Sequence, residues 1–408
     1  MPSFPKPLDA KPSGPKRVMI IAGEASGDVH GAHVIAAMKK KASAIIFHGI
    51  GGPALKAAGV DILIDASELS VVGITEVLVK LPQVFKSISR VKEALKTLRP
   101  DLMILVDFPD FNLHIATIAR KFNVPVLYYI SPTVWAWRAG RIHKIKKNVD
   151  HMALILPFEL SYYTRDNIPA TFVGHPILDY YASDAVPPVE REPSQPLTVG
   201  LLPGSRHGEI ERNIPEMLAA ASQLQQRFPG IQFLLSVAPT ISREWLESYV
   251  APYQKTCDIQ LVEKNVVQIF KKSALVIAVS GTVTLEAAIH CVPMVIVYKV
   301  SPVSYMLGQA LIKVDHIGIV NIIAGSRVVP ELIQDAVTPG NIARTAGDML
   351  ADPNQLAHIR EKLASVRNML GEPGAAERTA DIGLSMLYPD FYQDASLPDH
   401  RDSFPTNS

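Results

Sequence analysis

The chain has 408 residues, a net charge of +1, 48% hydrophobic residues and 19% charged residues. A nearly neutral chain has no overall electrostatic field to attract nucleic acid, so we expect no nucleic-acid partner. The length exceeds the roughly 250–300 residues at which a single hydrophobic core usually divides, so we expect two domains. The chain has only two cysteines, which argues against a disulfide framework and favours a cytoplasmic protein. It has no uninterrupted run of about 18 apolar residues, which argues against a membrane span.

The N-terminal half predicts a leader followed by a parallel sheet. Residues 1–16 contain five prolines and no apolar stretch, so we expect a flexible leader and no signal peptide. Short apolar runs then alternate with helical patterns, which is typical of strand-helix-strand units with both sheet faces covered. The predicted strands are residues 17–22, 44–49, 61–64, 102–106, 124–130, 151–155 and 171–173. They predict a domain over residues 17–183.

The C-terminal half repeats this pattern after a linker. Residues 184–196 hold four prolines and several charges, which favours a linker. New strands are predicted at residues 197–202, 232–237, 258–262, 274–279 and 294–300. We therefore predict two Rossmann-like, doubly wound parallel-sheet domains that face a central cleft, the second over residues 197–350. C-terminal helices are expected at 351–387, where apolar residues from Leu356 to Leu370 are spaced three and four apart, and a loose tail at 388–408.

Two acidic turns follow predicted strands of the first domain. The turn IAGEASGDVHGA carries Glu24 and Asp28, and the segment VDFPDFN carries Asp107 and Asp110. Ligands of open parallel sheets bind beyond the carboxyl ends of the strands, where these carboxylates would repel a phosphate, so we expect a hydroxyl or an amine to be handled there by a carboxylate base. Helix N-capping is the alternative for Asp28 and Asp110, and a divalent metal between Asp107 and Asp110 is a further one.

The loops of the second domain favour an anion. LLPGSRHGEI leads from a strand into a helix through Gly204 and Ser205, which allow close approach of a ligand, and Arg206, whose guanidinium can grip a diphosphate. The loop lacks the Gly-Lys-Ser/Thr ending of a Walker motif, and Ser205 has the alternative role of an N-cap.

A second helix start in this domain has the same character. In VSGTVTLEAA, Ser280, Gly281 and Thr282 begin a helix and predict a further anion-binding N-terminus. Glu286 lies four residues after Thr282, on the same helix face, and suits hydrogen bonds to ribose hydroxyls; a surface or structural glutamate is the alternative. The motif GIGGPA at residues 49–54 matches the dinucleotide pattern only loosely, because it contains a proline and lacks an acidic residue about 20 positions later.

Eight motifs in this order closely resemble the lipid-A-disaccharide synthase family, which comprises inverting glycosyltransferases of the two-Rossmann-domain GT-B type. They are AGEASGD, VDFPDFN, YYISPTVWAWRAGRIHKIKK, LPFE, FVGHP, LLPGSRHGE, SGTVTLEAA and NIIAG, and the resemblance covers about residues 17–387. It implies transfer of the sugar of UDP-2,3-diacylglucosamine to the 6-hydroxyl of 2,3-diacylglucosamine 1-phosphate. The products are the β-1,6 lipid A disaccharide and UDP, and neither a metal nor a cofactor is implied.

The resemblance also assigns roles to single residues. Glu24, Asp107, Arg206 and Asn321 match the functional positions of the family. Asp107 is expected to be the base, with Glu24 as its alternative or orienting partner. Arg206 is expected to neutralise the leaving diphosphate, and Asn321 to hydrogen-bond the nucleotide or sugar. The chain departs from the family pattern at Val320, where a proline is expected.

Acylated substrates imply contact with a membrane. Residues 69–90 combine aliphatic side chains with interspersed cations, a pattern that suits a bilayer interface and equally a helix packed in the core. Trp135 and Trp137 precede a basic cluster that would attract anionic headgroups or the acceptor phosphate, with nucleic acid as the competing interpretation. The resemblance implies a cytoplasmic enzyme, peripheral at the inner face of the cytoplasmic membrane, and allows a homodimer.

Two other functions fit parts of the pattern. A UDP-sugar 2-epimerase shares the architecture and the nucleotide-side loop, but it needs no lipid acceptor and therefore no Trp-basic segment. A catalytically silent, membrane-peripheral UDP-sugar binding protein would not need Glu24, Asp107 and Arg206 together. Normal binding of UDP-sugar without turnover would identify that second alternative.

Overall fold

The computed structural model describes residues 14–69, 74–181, 196–301, 305 and 315–392. The chain divides into two units, one formed by Met1–Pro176 with Pro373–Ser408 and the other by Ile177–Glu372. The predicted linker lies outside the described residues except for Pro196, and so do most of the predicted leader and tail.

A seven-stranded parallel sheet forms the first unit, with strand order β3-β2-β1-β4-β5-β6-β7. Its strands are β1 (Arg17–Ala22), β2 (Ile46–Gly51), β3 (Asp61–Asp65), β4 (Leu102–Val106), β5 (Val126–Tyr129), β6 (His151–Leu154) and β7 (Ala170–Phe172). The connecting helices are α1 (Ala25–Lys41), α2 (Pro53–Ala57), α3 (Ile74–Leu98), α4 (Pro109–Lys121), α5 (Arg141–Asn148) and α6 (Glu159–Arg165). Each predicted strand is confirmed to within two residues at either end.

Helices cover both faces of this sheet, as the unbroken apolar strands predict. Successive residues of a strand point to opposite faces. Val18 and Ile20 of β1 therefore join one core layer, while Met19 and Ile21 join the other. The first layer is completed by the C-terminal helix Ala375–Leu387, which packs against α1 although it lies more than 300 residues later in the chain.

The second unit is a six-stranded parallel sheet of order β10-β9-β8-β11-β12-β13. Its strands are β8 (Thr198–Leu202), β9 (Gln232–Val237), β10 (Asp258–Glu263), β11 (Leu275–Val279), β12 (Met294–Tyr298) and β13 (Glu331–Ile333). Its helices are α7 (Ile177–Tyr180), α8 (His207–Arg227), α9 (Arg243–Val250), α10 (Val266–Lys272), α11 (Thr282–Ile289), α12 (Ile319–Ala324), α13 (Pro339–Ala351) and α14 (Pro353–Met369); α15 (Ala375–Leu387) and α16 (Pro389–Tyr392) follow in the first unit. Two doubly wound parallel sheets confirm the predicted fold class.

The segment predicted to meet either a bilayer or the core is largely α3. Residues 70–73 lie outside the described part of the chain. Further along α3, Val91 and Leu95 are buried in the core of the first unit, whereas Phe85 is 65% exposed. No helix in the described ranges is long and apolar enough to cross a membrane.

Both sheets reverse their strand order at one point, which positions the candidate site. In the first unit the reversal lies between β1 and β4, and in the second between β8 and β11. Crevices that bind ligands open beyond the carboxyl ends of strands at such points. The segments that follow these four strands carry all the candidate site residues of the sequence except Asn321, which follows β12.

Candidate active site

Asp107 and Glu24 leave neighbouring strands at the reversal point of the first sheet. The last residues of β1 and β4, Ala22 and Val106, are paired, so the two turns start side by side. Asp107 and the next residue, Phe108, have φ angles of 46° and 48°. Such left-handed backbone is unfavourable for non-glycine residues and persists where the surroundings enforce it, most often at functional sites.

Hydrogen bonds hold this turn in place. The carbonyl oxygen of Asp107 accepts from the Tyr128 hydroxyl at 2.6 Å and from Nδ2 of Asn112 at 2.7 Å. Its backbone N–H donates to the carbonyl of Tyr129 at 2.9 Å. The main chain is therefore tied on both sides, which leaves the carboxylate of Asp107 as the group that the turn presents.

The carboxyl of Asp107 has the protonation behaviour of a base. Burial, followed by repulsion from the Glu24 carboxylate, raises the pKa of Asp107 to about 6. At neutral pH the group is mostly ionised, yet it is more basic than an exposed aspartate. This combination suits proton abstraction from a hydroxyl.

Gly23 is required by the neighbouring turn. A Cβ atom at this position would lie 2.3 Å from Cδ1 of the Phe108 ring. Real Cβ atoms do not approach this closely, so a side chain here would displace Phe108 and with it the Asp107 backbone.

Asp28 has a structural role that differs from the expected cap of its own helix. It lies inside α1, and its carboxylate accepts three backbone N–H groups at the start of α2, from Gly52 at 2.6 Å, Ala54 at 2.9 Å and Leu55 at 3.2 Å. A carboxylate therefore occupies the helix N-terminus where a dinucleotide phosphate would bind, and the motif GIGGPA holds no phosphate site.

Asp110 binds arginines instead of capping its helix. It lies in the first turn of α4, and no side chain caps that helix. Its Oδ1 accepts from Arg138 Nη1 at 2.9 Å and from Arg141 Nη2 at 2.5 Å. The basic segment after β5 is thus attached next to the Asp107 turn.

Sequence reasoning missed a buried carboxyl that anchors this segment. Glu159, 1% exposed, accepts from Trp135 Nε1 at 3.1 Å and is hydrogen-bonded to Ser131. Burial raises the pKa of Glu159 to about 8, so the group is largely protonated at neutral pH. A lone glutamate in the apolar sequence LILPFEL was the available signal.

Two half-buried histidines near the same edge were also missed. Burial lowers the pKa of His30 and of His175 to about 4, with a further contribution from neighbouring histidines in each case. Both imidazoles are therefore neutral at physiological pH. His175 belongs to the motif FVGHP, whose histidine was the sequence signal.

In the loop after β8, the carboxylate of Glu209 accepts a hydrogen bond from a backbone N–H of the kind that binds anions. Gly204 has a φ angle of 113°, and a Cβ there would lie 2.1 Å from Oε2 of Glu209. The same oxygen accepts from the backbone N–H of Ser205 at 3.0 Å. Ser205 is therefore not the N-cap; that position belongs to Arg206, whose side chain is exposed.

The loop after β11 exposes a helix N-terminus. Gly281 and Thr282 are exposed at the start of α11, and Ser280 Oγ donates to the carbonyl of Ile317 at 3.3 Å. Burial raises the pKa of Glu286 to about 7, and its carboxyl is hydrogen-bonded by Tyr181. Glu286 is therefore a half-buried group, which disagrees with the alternative of a surface glutamate and agrees with that of a structural one.

Asn321 lies inside the second unit, and its predicted direct contact with a nucleotide disagrees with this placement. It is 0% exposed, and all of its hydrogen-bonding capacity is used. Its Oδ1 accepts from the backbones of Val328 and Val329, and its Nδ2 donates to the Val329 carbonyl and to Glu331 Oε1 at 2.7 Å. Glu331 in turn accepts from the Ile317 N–H at 3.0 Å. Asn321 thereby shapes the segment that contacts Ser280.

Solved structures of low identity share this fold. MurG from Acinetobacter baumannii has a TM-score of 0.59 and 16% identity, covering 91% of this chain and 100% of that one. A UDP-GlcNAc 2-epimerase from Neisseria meningitidis, bound to UDP-GlcNAc, has a TM-score of 0.57 and 13% identity, with the same coverage. At these identities the likeness establishes the GT-B architecture alone.

Sequence relatives establish more. A family model described as Lipid-A-disaccharide synthetase matches residues 18–382. The lipid-A-disaccharide synthase of Geobacter metallireducens is 46% identical over 379 residues, which cover 91% of this chain and 97% of the relative. With a match over nearly its whole length and relatives this similar, the chain belongs to the lipid-A-disaccharide synthase family.

Proposed function

We propose that this protein is a glycosyltransferase that moves 2,3-diacylglucosamine from UDP to the 6-hydroxyl of 2,3-diacylglucosamine 1-phosphate, forming the β-1,6 disaccharide of lipid A. Family membership supports lipid A disaccharide synthesis. Within the site, the observation that carries the proposal is Asp107, a half-buried carboxylate of raised pKa beside Glu24 at the reversal point of the first sheet.

In the proposed reaction Asp107 takes the proton of the acceptor 6-hydroxyl. The hydroxyl oxygen forms a bond to the anomeric carbon of the donor, on the face opposite UDP, while the bond from that carbon to the diphosphate oxygen breaks. Its electron pair leaves with UDP, so the configuration inverts. Glu24 keeps the field at Asp107 negative, which makes Asp107 a stronger base.

The loops of the second unit are assigned to the nucleotide. Arg206 would neutralise charge that develops on the leaving diphosphate. Backbone and hydroxyl groups of the two loops would bind the phosphates, and Glu286 the ribose, with Asn321 as a supporting residue. The proposed ligands are Gly204, Ser205, Arg206, Ser280, Gly281, Thr282 and Glu286.

We also propose peripheral contact with the cytoplasmic face of the inner membrane, because both substrates carry acyl chains. The exposed Phe85 on α3 and the basic segment after β5 support this contact. A homodimer is the further proposal. Helix α15, which packs against α1 of the same chain, is the terminal element that would be exchanged between copies.

The test is disaccharide formation in detergent micelles with EDTA, comparing the unaltered protein with Asp107→Ala. We expect disaccharide and UDP from the unaltered protein and a loss of about 10²–10⁴-fold in kcat for the variant, with UDP binding retained. Full activity of Asp107→Ala would transfer the role of base to Glu24. Conversion of UDP-sugar without an acceptor would identify an epimerase, and binding without turnover a silent binding protein.

A further inference from the structure

The segment after β5 presents two guanidinium groups in a fixed arrangement. Arg138 and Arg141 share the carboxylate of Asp110, at 2.9 and 2.5 Å. Both guanidiniums also lie over the Trp137 ring, 4.5 and 4.9 Å from its centroid. Planar cations held by an aromatic ring and a carboxylate keep their orientation, so this cluster is preorganised.

Arg141 has a donor that the protein does not use. Its side chain is only 7% exposed, and its Nη1 is buried with no hydrogen-bond partner among the described residues. An unsatisfied donor on a buried cation is unfavourable, and two guanidiniums with one carboxylate keep a net positive charge. An anion with several oxygens, such as a phosphate ester, matches both features.

The backbone supports a functional purpose for this cluster. Arg138 has a φ angle of 53°, a conformation that is unfavourable for a non-glycine residue. The cluster also lies close to Asp107: the charge of Arg141 acts on Tyr128, whose hydroxyl donates to the Asp107 carbonyl at 2.6 Å.

We propose that Arg138 and Arg141, positioned by Trp137 and Asp110, bind the phosphate monoester of the acceptor. The proposal rests on the function proposed above, since it takes the acceptor to be a sugar 1-phosphate. The 1-phosphate and the 6-hydroxyl project from different sides of one pyranose ring. If the phosphate binds to the arginines beside Asp107, the 6-hydroxyl of the same sugar remains free to contact the Asp107 carboxylate.

The experiment compares two acceptors, 2,3-diacylglucosamine 1-phosphate and the same sugar without phosphate. We expect the unaltered protein to prefer the phosphorylated acceptor by about 10- to 100-fold in kcat/KM. Arg138→Ala and Arg141→Lys should each reduce this preference at least about tenfold, with KM for UDP-2,3-diacylglucosamine unchanged. Lys121→Ala, which removes an exposed cation at the end of α4 and outside the basic segment, is the matched control and should leave the preference intact.

Three outcomes separate the proposal from its competitors. An equal loss on both acceptors would mean that the arginines only support the fold, which overturns it. If the variants keep the preference but no longer sediment with phosphatidylglycerol vesicles, the cluster binds a lipid headgroup and the proposal is also overturned. If no acceptor reacts, the proposed function fails. In that case the protein is titrated with glucosamine 1-phosphate and its tryptophan fluorescence is measured. A response that Arg138→Ala abolishes would support the phosphate subsite, and no response would overturn it.

Discussion

At the scale of single residues, Asp107 is the proposed base, and burial together with the Glu24 carboxylate disfavours its ionised form. A carboxyl with a pKa of about 6 is protonated progressively below that pH and then cannot act as a base. We expect kcat/KM to fall about tenfold per pH unit below pH 6, with a plateau above it. A pH–rate profile measures this decrease. If kcat/KM began to fall only near pH 4, the raised pKa of Asp107 would not control the reaction.

The same environment predicts a gain in stability when Asp107 is neutralised. Because the folded pKa is above the usual 3.8, the folded state resists ionisation and the unfolding free energy decreases as pH rises from about 4 to 6. Asp107→Asn should therefore stabilise the protein by about 1–3 kcal/mol at pH 8 and by little at pH 4. Thermal unfolding at both pH values tests this. Asp110→Asn, which breaks bonds to two arginines, should give no gain.

The proximity of site residues was predictable where the sheet topology alone fixes their positions. Glu24 and Asp107 leave strands that a parallel sheet places side by side, so the sequence sufficed to bring them together. It did not reveal that Asn321 would be turned inward, because that depends on Glu331, a residue of a three-residue strand with no recognisable pattern. Asp28 was assigned to the wrong helix because the backbone N–H groups that donate to it lie 24 or more residues later in the chain.

At the scale of elements, Glu159 joins α6 to the segment that carries Trp135 and the two arginines. The folded protein holds a proton on Glu159 that the unfolded chain releases, so the unfolding free energy should decrease as pH rises from about 4.5 to 8. Glu159→Gln should remove this pH dependence. Glu159→Ala, which leaves the Trp135 N–H without its acceptor, should cost about 2–4 kcal/mol at pH 7. Urea unfolding at pH 5, 7 and 9 distinguishes the variants, and an unchanged slope in Glu159→Gln would contradict the assignment.

The turn after β1 depends on the turn after β4 through Gly23. Gly23→Ala would place a methyl group 2.3 Å from a Phe108 ring atom, so we expect the Asp107 turn to shift and kcat to fall at least about tenfold. Gly340→Ala meets nothing within 4 Å and serves as control. Equal activity of the two variants would show that Phe108 can move without consequence for catalysis.

Strands were more predictable than the partners of helices. Buried parallel strands are continuous apolar runs, and these mark their positions directly. An amphipathic helix shows only that one face is covered, and not by which sheet. This explains why the sequence predicted C-terminal helices, with Leu363 and Val366 buried as expected, but did not reveal that α15 completes the core of the first unit.

At the scale of the whole molecule, the two units differ in chemistry, and this predicts separate responses to ligands. The first presents carboxylates at its reversal point, whereas the second presents Arg206 and two helix starts. A ligand stabilises only the unit that binds it, by about 2.7 kcal/mol at one hundred times its Kd. UDP should therefore slow amide hydrogen exchange in the loops at Ser205 and Gly281, and should not slow it at Glu24 or Asp107.

Variants of the two units should separate binding from chemistry. Arg206→Ala should lose most of the exchange protection given by UDP, because it removes the cation that would face the diphosphate. Asp107→Asn should keep that protection in full while losing turnover, since its unit has no part in holding the nucleotide. Loss of UDP protection in Asp107→Asn would show that the carboxylate turn contributes to the nucleotide site, and the division of tasks between the units would then be wrong.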